Sequence, residues 1–242
     1  MNTTQWLFIA FVLITSGGVV AVTAKCVGTR AALIVALGLA AWFAYVAALS
    51  YFGVLRRSEG RPPGAFFILA PVLGGLITAA LLSVTKTGTR LVMTVPLALA
   101  IGGQVFRLGV ELFIHKMWAE GLVPRMLTFN GANVDIYVAL TAPVIAVLAL
   151  NRRWGPVVAW TWNVAGLLAL ANVVVRAILS TPGPLDVLHT EPPNAMFVTF
   201  PFMFIPAFFV PLAVTLHLIA IRITWVSTGH AGRQTLTAGD AA

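Results

Sequence analysis

Residues 91–113 read LVMTVPLALAIGGQVFRLGVELF, with Arg107 and Glu111 as the only charges in the run. As a helix this stretch is about 34 Å long at 1.5 Å per residue. That is enough to cross the roughly 30 Å hydrocarbon layer of a bilayer. Six more apolar runs occur at about 6–23, 31–54, 66–84, 134–150, 156–179 and 197–223. The expected fold is all-α: a multi-pass transmembrane bundle of seven spans. The links are too short for a separate soluble domain, so residues 1–226 are expected to form one unit. Residues 227–242 form a polar tail, expected to be disordered.

Composition agrees with a lipid environment. Hydrophobic residues make up 60% of the chain and charged residues 9%, with a mean hydropathy of +0.96. A soluble domain carries about 25% charged residues. The formal charge of +8 does not indicate nucleic acid, because the Lys and Arg residues fall mostly at span ends and form no basic face with interleaved aromatics. Trp6, Trp118, Trp154 and Trp225 also sit near span ends, as interfacial anchors do. The first run has no basic residue before it, which favours a retained span over a cleaved secretory signal. Cys26 is the single cysteine, so no intrachain disulfide is expected.

Lys25, Arg30, Lys86, Arg90, Arg152, Arg153, Arg222 and Arg233 fall on one side of the predicted bundle. Arg56, Arg57, Arg61, Lys116 and Arg125 fall on the other. The richer side is expected to be cytoplasmic, which puts the N-terminus out and the C-terminus in.

Ionisable residues inside a span are costly in lipid and usually face the bundle interior. Gln104, Arg107, Glu111 and His115 are spaced by three, four and four residues and share one helical face. Arg107 and Glu111, four apart, can neutralise each other. Asn163, Asn172 and Arg176 lie in the sixth span, and Asn133 and Asp135 open the fifth. Of the seven acidic residues only Asp240 falls on the predicted cytoplasmic side. With Asn130 and Glu191 in the outer loops, these residues suggest a polar pocket opening outward. His217 is a candidate proton-relay group nearer the cytoplasmic end. Pro206 and Pro211 are expected to kink the last span.

Motifs for known chemistry are sparse. His189, Thr190 and Glu191 supply residue types that bind zinc, but there is no HExxH pattern and no pair of histidines at helical spacing, so no metal site is expected. His115 and His217 are expected near opposite faces, which excludes one haem held by both. The last span has no lysine for a retinal Schiff base, and the chain has no Walker, GxSxG or dinucleotide fingerprint. No cofactor is expected.

Several strings occur together in order: Gln104-Val105-Phe106-Arg107 with Glu111, Gly121-Leu122-Val123-Pro124, Thr128-Phe129-Asn130-Gly131, Asn133 and Asp135. Trp162-Asn163, Asn172, Glu191-Pro192, Phe200-Pro201-Phe202 and His217 follow. Over spans 4 to 7 this pattern resembles a family of uncharacterised bacterial integral membrane proteins. The resemblance implies a bacterial cell (inner) membrane location and no particular activity. The leading functional expectation is binding or transport of an ion or small polar solute. An intramembrane enzyme acting on a lipid or lipid-linked substrate, and a structural or assembly protein, are the alternatives. The partners expected are the bilayer and that solute or ion.

Overall fold

The computed structural model describes residues 1–54, 73–74, 76–77, 80, 85, 89, 93–183 and 185–239, with side chains described as far as Ser227. The third expected span (66–84), the Arg56–Pro63 link, Lys86, Arg90 and Asp240 lie largely or wholly outside those residues. Every regular element among the described residues is helical. Five helices are long and apolar enough to cross a membrane: α1 (Thr3–Cys26), α2 (Thr29–Tyr51), α3 (Leu97–Ala119), α5 (Gly155–Leu179) and α6 (Ile205–Ser227). A shorter helix, α4 (Asp135–Leu148), stands between α3 and α5. This is a multi-pass membrane protein, with five helices of sufficient length among the described residues.

Three of the departures from the expected boundaries have a local reason. Helix α3 starts at Leu97, after extended Pro96, rather than near residue 91. Arg107 therefore lies within one residue of the helix midpoint, deeper than the sequence implied. Helix α4 is 14 residues long, about 21 Å, so it does not by itself cross the hydrocarbon layer. Its missing length is taken by the α3–α4 connection, where Val123, Leu127, Thr128 and Asn133 are buried. Irregular backbone at this depth is tolerated when protein surrounds it. The last span begins as a helix at Ile205, not at 197. Residues 196–204 form a short 3-10 turn, Met196–Val198, and then a buried irregular stretch through Pro201. Beyond Ser227 the backbone remains helical to Gly239.

The bundle is packed differently at its two ends. One end, beside Asn151-Arg152-Arg153, joins Ala100, Ala146, Ala149, Ala159 and Ala220 with Ile101 and Ile219. Small side chains let helix backbones approach closely in a membrane. The other end is aromatic: Phe8 lies 5.1 Å from both Phe113 and Phe202, and Phe11 stacks on Phe209 at 4.9 Å. Leu13, Ile14, Leu33, Val144 and Leu168 point outward, as lipid-facing residues do.

Helix α6 opens with a π turn, Ile205–Phe209, which contains Pro206 and is followed by Pro211. Pro211 has no N–H to offer the Ala207 carbonyl four residues back. That carbonyl instead accepts a hydrogen bond from Trp42 Nε1 of α2 at 2.9 Å.

Candidate functional site

Arg107 and Glu111 share one face of α3, and both are 2% exposed. Arg107 is paired with Asp135 rather than with Glu111: its Nε donates to Asp135 Oδ2 at 2.9 Å and its Nη2 donates to Oδ1. A guanidinium fork on a carboxylate is a bidentate, charge-assisted pair. Asp135 is the first residue of α4, where a helix N-terminus favours negative charge. Its own backbone N–H donates to Asn133 Oδ1 at 2.9 Å, which fixes the turn into the helix.

Asn133 also holds Glu111. Its Nδ2 lies 2.8 and 2.9 Å from the two Glu111 carboxylate oxygens and 2.9 Å from Leu127 O. Two amide hydrogens thus serve three acceptors, leaving the carboxylate with acceptor capacity to spare. The sequence placed Asn133 at the start of the fifth run without assigning it a role at the site. Its signal was its position two residues before Asp135, the spacing of a side chain that caps the next turn.

His217 joins this cluster rather than standing apart from it. With α6 starting at Ile205, His217 and Arg107 both lie near the midpoints of their helices. Arg107 Nη1 lies 2.9 Å from His217 Nε2, and His217 Nδ1 lies 2.7 Å from Asn163 Oδ1. Arginine can only donate, so Nε2 is the acceptor. The Asn163 amide nitrogen donates to Ala159 O at 2.7 Å, so Oδ1 accepts from Nδ1–H. The imidazole therefore carries its hydrogen on Nδ1 and is held at both nitrogens. Gly166 makes room for the ring, because a Cβ there would lie 2.4 Å from His217 Cε1.

The other candidates lie elsewhere. Gln104 is fully buried and donates from Nε2 to Ala213 O at 3.0 Å, outside the ionic cluster. His115 stacks on Phe129 at 4.5 Å instead of following Arg107 and Glu111 into the cluster. Asn130 is exposed and takes part through its backbone carbonyl, which accepts from Arg125 Nε. Arg176 donates to Asn172 Oδ1 at 2.8 Å, and Asn172 donates to Ala132 O at 2.9 Å, so this pair ties α5 to the α3–α4 connection. Glu191 is exposed in a surface depression with Asp186 and His189. Among the described residues no three His, Cys, Asp or Glu side chains come together as metal ligands.

Beside the ionic cluster, α3, α5 and the start of α6 border a partly open cavity of about 110 Å³. Arg107, Glu111 and Asp135 border it, but its walls are chiefly apolar, with Val110, Leu170, Val173, Ile178 and Phe209 among them. Its other end reaches Thr181, Leu185 and Asn194 in the α5–α6 connection. The sequence suggested a polar pocket, whereas the charges here occupy one part of an apolar one.

A bundle of long apolar helices joined through a buried ionic network defines a multi-pass α-helical membrane protein. Within that class the chain belongs to a family described as a domain of unknown function (DUF8737), whose model matches residues 64–224. The match takes in α3, α4, α5 and nearly all of α6, and hence the whole ionic cluster and cavity. No curated protein and no solved structure matches the chain.

Proposed function

We propose that this chain binds, and in binding transports, a small solute or ion at Glu111, in the cavity between α3, α5 and α6. The supporting observation is a charge count. Arg107 is matched by Asp135, while Glu111 borders the cavity with hydrogen bonds from Asn133 and no ion-pair partner among the described residues. A buried charge without a counter-charge is strongly unfavourable. A cation or a proton reaching Glu111 relieves it. In the orientation expected from Lys and Arg, with seven spans in a bacterial cell membrane, the cavity end at Thr181 and Leu185 faces outward.

The Arg107–Asp135 pair supports a second reading, in which the network only fixes how the helices pack. The two readings part at Glu111. Purified protein in lipid nanodiscs is titrated with sodium, potassium and methylammonium chloride while thermal unfolding is followed. Binding at a hundredfold excess over Kd stabilises the folded state by about 2.7 kcal/mol. At least one cation is expected to stabilise the wild type and not Glu111→Gln. Equal responses in the two proteins, including none in either, would remove the Glu111 charge from the function and favour the packing reading.

A further inference from the structure

The cavity has a second polar feature far along the chain from Glu111. Asn194 is 0% exposed and lines the cavity. Its Nδ2 donates to Ala177 O and Thr181 Oγ1, both at 3.1 Å, while its Oδ1 has no hydrogen-bond partner among the described residues. A buried acceptor without a donor is a standing demand for one. Glu111 is likewise an acceptor with capacity left, and the two carboxylates bordering the cavity outnumber its one guanidinium. Between these polar groups the walls are hydrocarbon. A simple metal cation leaves those walls empty, and a carboxylate ligand meets the uncompensated charge of Glu111.

Building on the reading of this cavity as a ligand site, we infer that it takes a cationic amphiphile: a primary ammonium with a short hydrocarbon body. The ammonium, with three hydrogens to donate, meets Glu111 or Asn194 Oδ1, and the hydrocarbon lies against Leu170, Val173 and Phe209. A cavity of about 150 Å³ admits benzene, so this one of about 110 Å³ seats about four carbons of a short chain, and its open side leaves room for the rest. The ammonium group is common to free alkylamines and to aminolipid headgroups.

Hexylammonium, hexanol and hexanoate share one chain length and differ only in the polar end. Their affinities for the wild-type protein are measured by calorimetry in phosphatidylcholine nanodiscs. Hexylammonium is expected to bind best, at least about tenfold more tightly than hexanoate, the ratio given by roughly 1.4 kcal/mol. Glu111→Gln is expected to weaken hexylammonium by a similar factor and leave hexanol nearly unchanged. The wild-type comparison stands whether or not that variant folds. Hexanol or hexanoate binding as tightly as hexylammonium would overturn the ammonium assignment and leave the cavity as a ligand site. Binding of none of the three would overturn both. Weaker hexylammonium binding in phosphatidylethanolamine discs would identify the lipid headgroup as the competing amine, and unchanged binding would assign the site to a free amine.

Discussion

Helices α1 and α2 meet the rest of the bundle through rings, whereas α3 to α6 meet one another through a hydrogen-bonded ionic network. In α1 and α2 few apolar residues are buried, against about half in α6. Among the described residues their attachment is chiefly Phe8 and Phe11 on Phe113, Phe202 and Phe209, Phe43 on Phe204 and Phe208, with Val12 and Val46 in the same core and one hydrogen bond from Trp42. In α3 to α6 the chain Asp135–Arg107–His217–Asn163 joins four helices. Ring contacts are weakly directional and tolerate a change of shape. The ionic chain fixes donor, acceptor and register together, so a change at one member leaves another unpaired in a medium without water. The matched family region, residues 64–224, falls on the second kind of structure.

The comparison is broken most severely at Arg107. Arg107→Met leaves Asp135 buried without its partner, and breaking a buried pair in this way costs about 3–5 kcal/mol. The single variant is expected to lose its cooperative thermal unfolding transition. Arg107→Met with Asp135→Leu removes both charges and is expected to recover most of it. A double variant no more stable than the single one would show that the pair does not carry the energetic weight given to it.

A smaller effect is expected at Gly166, where an added methyl meets the His217 ring. Gly166→Ala is expected to cost about 1–3 kcal/mol through overpacking. It should also shift the His217 ring-nitrogen resonances as the bond to Arg107 lengthens. Unchanged resonances would mean that the His217 ring does not pack against Gly166.

The smallest effect belongs to the ring-packed half. Trp42→Phe keeps an aromatic ring and removes the donor to Ala207 O, a loss of about 1 kcal/mol for a hydrogen bond between membrane helices. Unfolding of this variant in nanodiscs is expected to remain cooperative with a slightly lower midpoint. A loss as large as that of Arg107→Met would erase the distinction between the two halves.

The contrast also explains what the sequence made legible. Helix α5 was read within one residue at its start, 156 against Gly155, because Asn151-Arg152-Arg153 and the Pro-rich 180–194 segment bracket it. Buried irregular backbone was not legible at 196–204, since Phe, Met and Val there are as apolar as any helix. Residues Arg107, Glu111, Asp135, Asn163 and His217 stood out because they are polar inside apolar runs, and the structure brings them together. Their pairing was hidden. Spacing along one helix reports neighbours four residues apart, and says nothing of a carboxylate brought from α4. His115, in register with Arg107 and Glu111, was drawn instead to Phe129 of the following connection. The cavity walls were unreadable for a simpler reason: Leu170 and Val173 look like any other apolar helix residue.

The contact between Trp42 and Ala207 also bears on the order in which the chain enters the membrane. The Ala207 carbonyl arrives late in synthesis and lacks its usual helical donor because of Pro211. Trp42 lies 165 residues earlier in the chain, so its indole can already be in place when α6 inserts. The N-terminal pair of helices thus acts as a dock for the last one. It receives the π turn that ends at Phe209, and so sets the position of a cavity wall to which neither N-terminal helix contributes a side chain.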